Sequence, residues 1–112
     1  QVIEVNKESQ IDKFTAIFGS GPAYVYFFIE MLSKIASKNG FKQSDQMIIH
    51  LFLGSILLML DTKEHPKILR KKVTSKGGTT DAAIKSLISS DKFYKVLNEA
   101  INKAAKRAKK LG

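Results

Sequence analysis

Between Phe93 and Ala108 the apolar residues return every third or fourth position, as Phe93, Val96, Leu97, Ala100, Ile101, Ala104, Ala105 and Ala108. That period gathers them on one face of an α-helix running from about Asp91 to Leu111. Lys103, Lys106, Arg107, Lys109 and Lys110 fall mostly between them, on the wet side. Cations there also suit the negative end of a helix dipole. Stop and start signals divide the rest of the chain. A first helix is predicted from about Lys7 to Phe18, stopped at Gly19. Gly21-Pro22 opens a second through about Lys38, because Pro suits the first helical position. Asn39-Gly40 supplies its left-handed stop. Ser44-Asp45 reads as the cap of a third helix ending near Asp61. His65-Pro66 starts a fourth through about Lys72, and a fifth covers about Thr80 to Ser89. Val2 to Val5 is expected to form a short edge strand. The whole pattern is all-α, a bundle of about six helices.

Two of these helices are apolar on too many sides. Almost every residue from Tyr24 to Ile29 is hydrophobic, and so is nearly everything from Met47 to Leu60. A surface helix shows an apolar stripe and a polar face, whereas a helix apolar all round must be covered all round. Neither run reaches the roughly 18 apolar residues that a bilayer crossing needs. Glu30 and His50 would also be costly in lipid, so no membrane is expected. One small domain can hardly cover two such helices. A second copy of the chain is therefore expected to cover them, in an obligate homodimer. Gly54 and Ser55 would let another helix approach the third one closely. His50, alone in an apolar helix, is expected to be a hydrogen-bonded core or interface residue.

Composition narrows the picture. The 112 residues have the length of one domain. A 44% hydrophobic and 26% charged content is that of a globular chain, not a disordered one. Cysteine is absent, which excludes disulfides, thiolate zinc sites and cysteine nucleophiles, and agrees with a cytoplasmic location. The opening QVIEVNKES lacks a signal peptide's basic start and apolar run. Its start at Gln rather than Met suggests a piece of a longer protein. The net charge of +9 raises the question of nucleic acid. However, no aromatic residue interleaves with the C-terminal lysines as single-strand binding requires, so a solvated helix face is the expectation.

The richest stretch chemically is VTSKGGTTDAAI, from Val73 to Ile84. A helix N-terminus leaves about four backbone N–H groups without partners and carries roughly half a positive charge. Gly77 and Gly78 would let an anion reach their amides, and Thr79 and Thr80 add hydroxyls. The stretch therefore suits a small carboxylate or phosphate. It equally suits a plain glycine turn with a threonine N-cap, and Asp81 already supplies negative charge to the first turn.

Other motifs fail on inspection. GSGPAY, Gly19 to Tyr24, begins like a dinucleotide fingerprint, but Tyr24 stands where the third glycine belongs and no βαβ unit surrounds it. SKGGTT lacks Walker A spacing, because its lysine precedes the glycines. The two histidines, His50 and His65, lack metal spacing, and no metal site is expected.

TAIFGSGPAYVYFFIE, then EHP, then VTSKGGTTDAAI, then the closing EAINKAAKRAKKLG together resemble the C-terminal domain of pyrroline-5-carboxylate reductase, from about Ile11 to Gly112. The resemblance implies that residues 1–112 are a helical dimerisation and substrate-loop domain whose helices interlock with a partner's, as a domain-swapped dimer. Such dimers often assemble into rings. The family's N-terminal Rossmann domain, which binds NADP or NAD, is expected to be absent from this chain. No cofactor is expected in the chain itself, and alone it is expected to be inactive.

The resemblance also implies roles. Ser75, Gly77, Gly78, Thr79 and Thr80 correspond to residues lining the pocket for 1-pyrroline-5-carboxylate, a cyclic imine carrying a carboxylate. Loop amides and Ser75 would hold the carboxylate, and Thr80, the catalytic candidate, would hydrogen-bond the ring nitrogen. Hydride transfer from the nicotinamide then gives L-proline, a reaction of proline biosynthesis. Two positions depart from the family pattern. Lys76 stands where proline is usual. Lys72 replaces an amide side chain that would touch the cofactor, and is the one cofactor-binding candidate. Tyr24 and the GSG turn would border the nicotinamide or serve structure alone, and His65 would start a helix rather than catalyse. Two other readings stay open at this point: a basic helical module that binds nucleic acid, and a relic domain that only oligomerises.

Overall fold

The structure is a computed structural model and describes residues 8–112. The expected strand at Val2 to Val5 lies outside them. The described residues are helical and contain no strand, in the order α1 (Glu8–Phe14), a π-helical turn (Thr15–Gly19), α2 (Gly21–Lys38), α3 (Ser44–Thr62), α4 (Pro66–Lys72), α5 (Thr79–Ile88), a 3-10 turn (Ser89–Asp91) and α6 (Lys92–Leu111). Four of the helices are long, and α1 and α4 are short segments of seven residues each. The all-α expectation therefore holds.

Local chemistry explains most boundaries. After α2 the Gly40 backbone turns left-handed at φ +90°. Phe41 N–H donates to the Ala36 carbonyl at 3.2 Å and Gly40 N–H to that of Ser37 at 3.0 Å. This is the paired pattern of a Schellman stop. Before α4, His65 Nδ1 accepts from the Lys67 N–H at 3.1 Å, while Pro66 fills the first helical position. Pro has no N–H to leave unpaired there.

Three boundaries differ from expectation. The first helix ends as α-helix at Phe14 and widens into the π-turn, where Ser20 N–H reaches back five residues to Thr15 O at 2.9 Å. The cap of α3 is Gln43, in the left-handed region at φ 56°, and no side chain caps it. Ser44 is already helical, and buried. In α5, Thr79 is likewise already helical and the Gly78 carbonyl accepts the first helical bond, from Ala82 N–H at 3.2 Å. Gly78 thus takes the cap position, so the threonine-cap reading fails.

The chain forms two compact units, one of residues up to Val25 with Leu87–Gly112, the other of Tyr26–Ser86. In the first, α1 and the π-turn pack on α6. Ala16 of that turn is the one buried hydrophobic residue among the described residues. Tyr24 donates its hydroxyl to the Ala16 carbonyl.

The second unit has almost no interior. Along α3, Met47, Ile49, Leu51, Leu53, Ile56, Leu57, Leu58 and Leu60 are each at least half exposed. A Cβ on Gly54 would meet nothing within 4 Å, and the Ser55 hydroxyl is satisfied on the Leu51 carbonyl of its own helix at 2.8 Å. His50 is exposed in the protomer, which corrects the core alternative of its expected role and leaves the interface alternative. By length and composition alone, the 19-residue α3 is also long and apolar enough to cross a membrane, contrary to the shorter span read from its apolar run.

Candidate functional site

The segment between α4 and α5 is built outward from two helix ends. The Thr74 hydroxyl donates to the Arg70 carbonyl, and Val73 N–H to the Leu69 and Arg70 carbonyls at 3.3 Å, which closes α4. Ser75 to Gly78 then form a tight turn, with Gly78 N–H donating to Ser75 O at 3.0 Å. Gly77, its third residue, has φ +76°. A positive φ at the third position marks a type II turn, which favours Pro at the second and needs Gly or Asn at the third. Lys76 holds the second position, so this is the structural meaning of the proline that the resemblance leads one to expect there. Gly78 is confined for another reason: a Cβ on it would lie 3.2 Å from Ser75 O.

The first turn of α5 reaches back to this loop. Gly77 N–H donates to Asp81 Oδ2 at 3.0 Å. Lys85 Nζ, one helical turn further on, lies 3.0 Å from the same oxygen. The Gly77 hydrogen bond, helped by that of Lys85, holds the Asp81 carboxyl below the usual carboxylate range, against some desolvation. An acidic residue in this place complements the helix N-terminus, much as the third residue of a capping box does.

Each residue expected in the site can now be placed. Ser75, Thr79 and Thr80 are exposed along one short run of chain. The amides of Gly77 and Gly78 already have acceptors within the chain, Asp81 and Ser75. Lys72, the cofactor-binding candidate, pairs with Glu64 at 2.7 Å and so ties the end of α4 to the stretch before it. Composition did not disclose either acidic partner. The spacing Gly77-x-x-x-Asp81-x-x-x-Lys85 was the available signal. With no strand among the described residues, there is no βαβ unit to cradle a dinucleotide. What the loop can do is present hydroxyls, and the first amides of α5, to a small anion.

Residues 8–111 match the family described as pyrroline-5-carboxylate reductase dimerisation. Pyrroline-5-carboxylate reductase 1 of Bacillus subtilis (strain 168) is 40% identical over 107 residues, covering 94% of this chain and 36% of that protein. The Escherichia coli (strain K12) reductase is 34% identical over 110 residues, 96% of this chain and 40% of its own. Among solved structures, a pyrroline-5-carboxylate reductase from Coxiella burnetii superposes with a TM-score of 0.87 at 37% identity, over 99% of this chain and 42% of that one. Plasmodium falciparum pyrroline carboxylate reductase with NADP bound gives 0.84 at 32% identity, over 99% and 43%. The chain thus spans well under half the length of these relatives.

Proposed function

The chain belongs to the pyrroline-5-carboxylate reductase dimerisation family, and from that premise we propose that it pairs with a second copy of itself and supplies the substrate loop of an enzyme that reduces 1-pyrroline-5-carboxylate to L-proline. One observation carries the pairing. An apolar helix lies open along its length in a protomer whose one buried hydrophobic residue, among those described, is Ala16. Apolar surface on that scale marks an interface. Helices that interlock with the partner's, and rings built from such dimers, belong to the same proposal. So does a cytoplasmic location, in keeping with the absence of cysteine.

For the chemistry, a reduced nicotinamide, NADPH or NADH, held outside the described residues supplies the hydride. This chain's residues bind and orient the imine acid. Ser75 and Thr79 offer hydroxyls to its carboxylate, and the N-terminus of α5 adds amides. Thr80 Oγ1 donates to the ring nitrogen as that atom gains electron density, where a placed donor favours the transition state. In the complete gene product, Thr80→Ala is expected to slow imine reduction by roughly tenfold to a hundredfold while the dimer persists. A Thr80→Ala enzyme as fast as its parent removes Thr80 from the mechanism, and a parent that forms no proline from the imine removes the reading as a whole.

A further inference from the structure

We propose that Asp81 is a positioning residue for the substrate loop: by accepting the Gly77 N–H it sets which way the Lys76–Gly77 peptide faces, and so which donors remain for a carboxylate. The inference rests on the reading of the loop given above and deepens it. Type I and type II turns differ by a flip of the peptide between their second and third residues. In this chain that peptide joins Lys76 to Gly77. Its N–H points at Asp81 Oδ2, 3.0 Å away, in the type II arrangement. In the flipped turn the Lys76 carbonyl would take the place of the N–H and face a carboxylate, which repels it.

Two features make the tie necessary in this sequence. Proline at the second position would hold φ by its ring, but Lys76 leaves that torsion free. The second feature is Lys85, whose Nζ sits 3.0 Å from the same oxygen. It pairs with the carboxylate and offsets a charge that would otherwise oppose an incoming anion. The consequence is specific. The Gly77 amide serves the loop, not the substrate, and the substrate carboxylate must be held by Ser75, Thr79 and the first amides of α5.

The test combines Asp81→Ala and Asp81→Asn with Lys76→Pro. In Asp81→Ala of the complete gene product, KM for the imine acid is expected to rise about tenfold, as for the loss of one charge-assisted hydrogen bond, with kcat changed far less. The Gly77 amide proton should move upfield in the NMR spectrum of the dimer, with Asp81→Asn intermediate in both readouts. Adding Lys76→Pro to Asp81→Ala should restore KM only in part, because the ring holds φ at the second position, which both turn types share, and does not choose the direction of the peptide. A role confined to capping α5 would lower stability without that rescue. An Asp81→Ala protein with unchanged KM and an unmoved Gly77 amide overturns the inference. A parent without reductase activity overturns the functional reading instead, and the Gly77 amide then decides the tie alone.

Discussion

The hydroxyl of Tyr24 donates to the backbone carbonyl of Ala16, eight residues earlier, and so fastens the first turn of α2 to the π-turn before it. Ala16 is also the best-buried residue described, at 1% exposure. A π-turn breaks the regular α-helical ladder, and such breaks persist when another group supports them. Tyr24 supplies that support, which gives the tyrosine of GSGPAY a structural task.

Tyr24→Phe removes the donor and leaves a part-buried carbonyl short of a partner. The expected cost is about 1 kcal/mol of stability, read from the denaturant midpoint of the dimer. An unchanged midpoint means that the bond contributes nothing net.

On α3, Leu53→Glu places a charge in the middle of the face assigned to the partner, beside Gly54. Sedimentation should show loss of the dimer, accompanied by loss of helical signal, since an obligate dimer has no stable monomer. For the same reason the parent's thermal midpoint should fall on dilution. A concentration-independent midpoint together with a folded Leu53→Glu monomer contradicts the pairing.

Gly77→Ala puts a Cβ on a backbone held at φ +76°. The left-handed conformation is expected to cost about 1 kcal/mol, measured by unfolding, and the loop should shift with it. Wild-type stability in this variant would show that the turn is not populated in solution.

Acid should loosen the same loop. The native pKa of Asp81 is lowered from its ordinary 3.8. Its tie to Gly77 and Lys85 therefore contributes fully above that value and is lost as pH falls through the lowered native pKa. The stability gap between parent and Asp81→Asn should be present at neutral pH and close under acid. A gap that stays constant assigns the difference to packing.

Ser33 is 4% exposed, and its hydroxyl has no hydrogen-bond partner among the described residues. Replacing an unpartnered buried hydroxyl removes a desolvation cost. Ser33→Ala should be neutral or stabilising in equilibrium unfolding, whereas a clear loss of stability would reveal a partner for it in the assembled dimer.

Much of the helical layout was legible from single residues. Gly40 after Asn39 and Pro66 after His65 act through their own backbone limits, and both helix ends fall where those limits require. The π-turn and the cap at Gln43 were not legible. Thr15 to Gly19 has no composition that distinguishes it from α-helix, and Gln43 is an ordinary side chain in an uncommon conformation. In the loop, the residue types were readable but their pairing was not. The Gly77 amide and the Lys85 ammonium can each serve an anion, and only the fold shows that both are already joined to the Asp81 carboxylate.

Helix periods, most helix ends and an excess of apolar surface are written in the order of the residues, because these depend on neighbours three or four positions away. Tertiary structure was needed to show that Tyr24 meets Ala16 and that Lys72 pairs with Glu64. Those outcomes rest on where separate segments meet in space. Local propensity cannot specify that meeting, because each contact joins residues of two different segments, eight positions apart, across a turn whose path no single residue fixes.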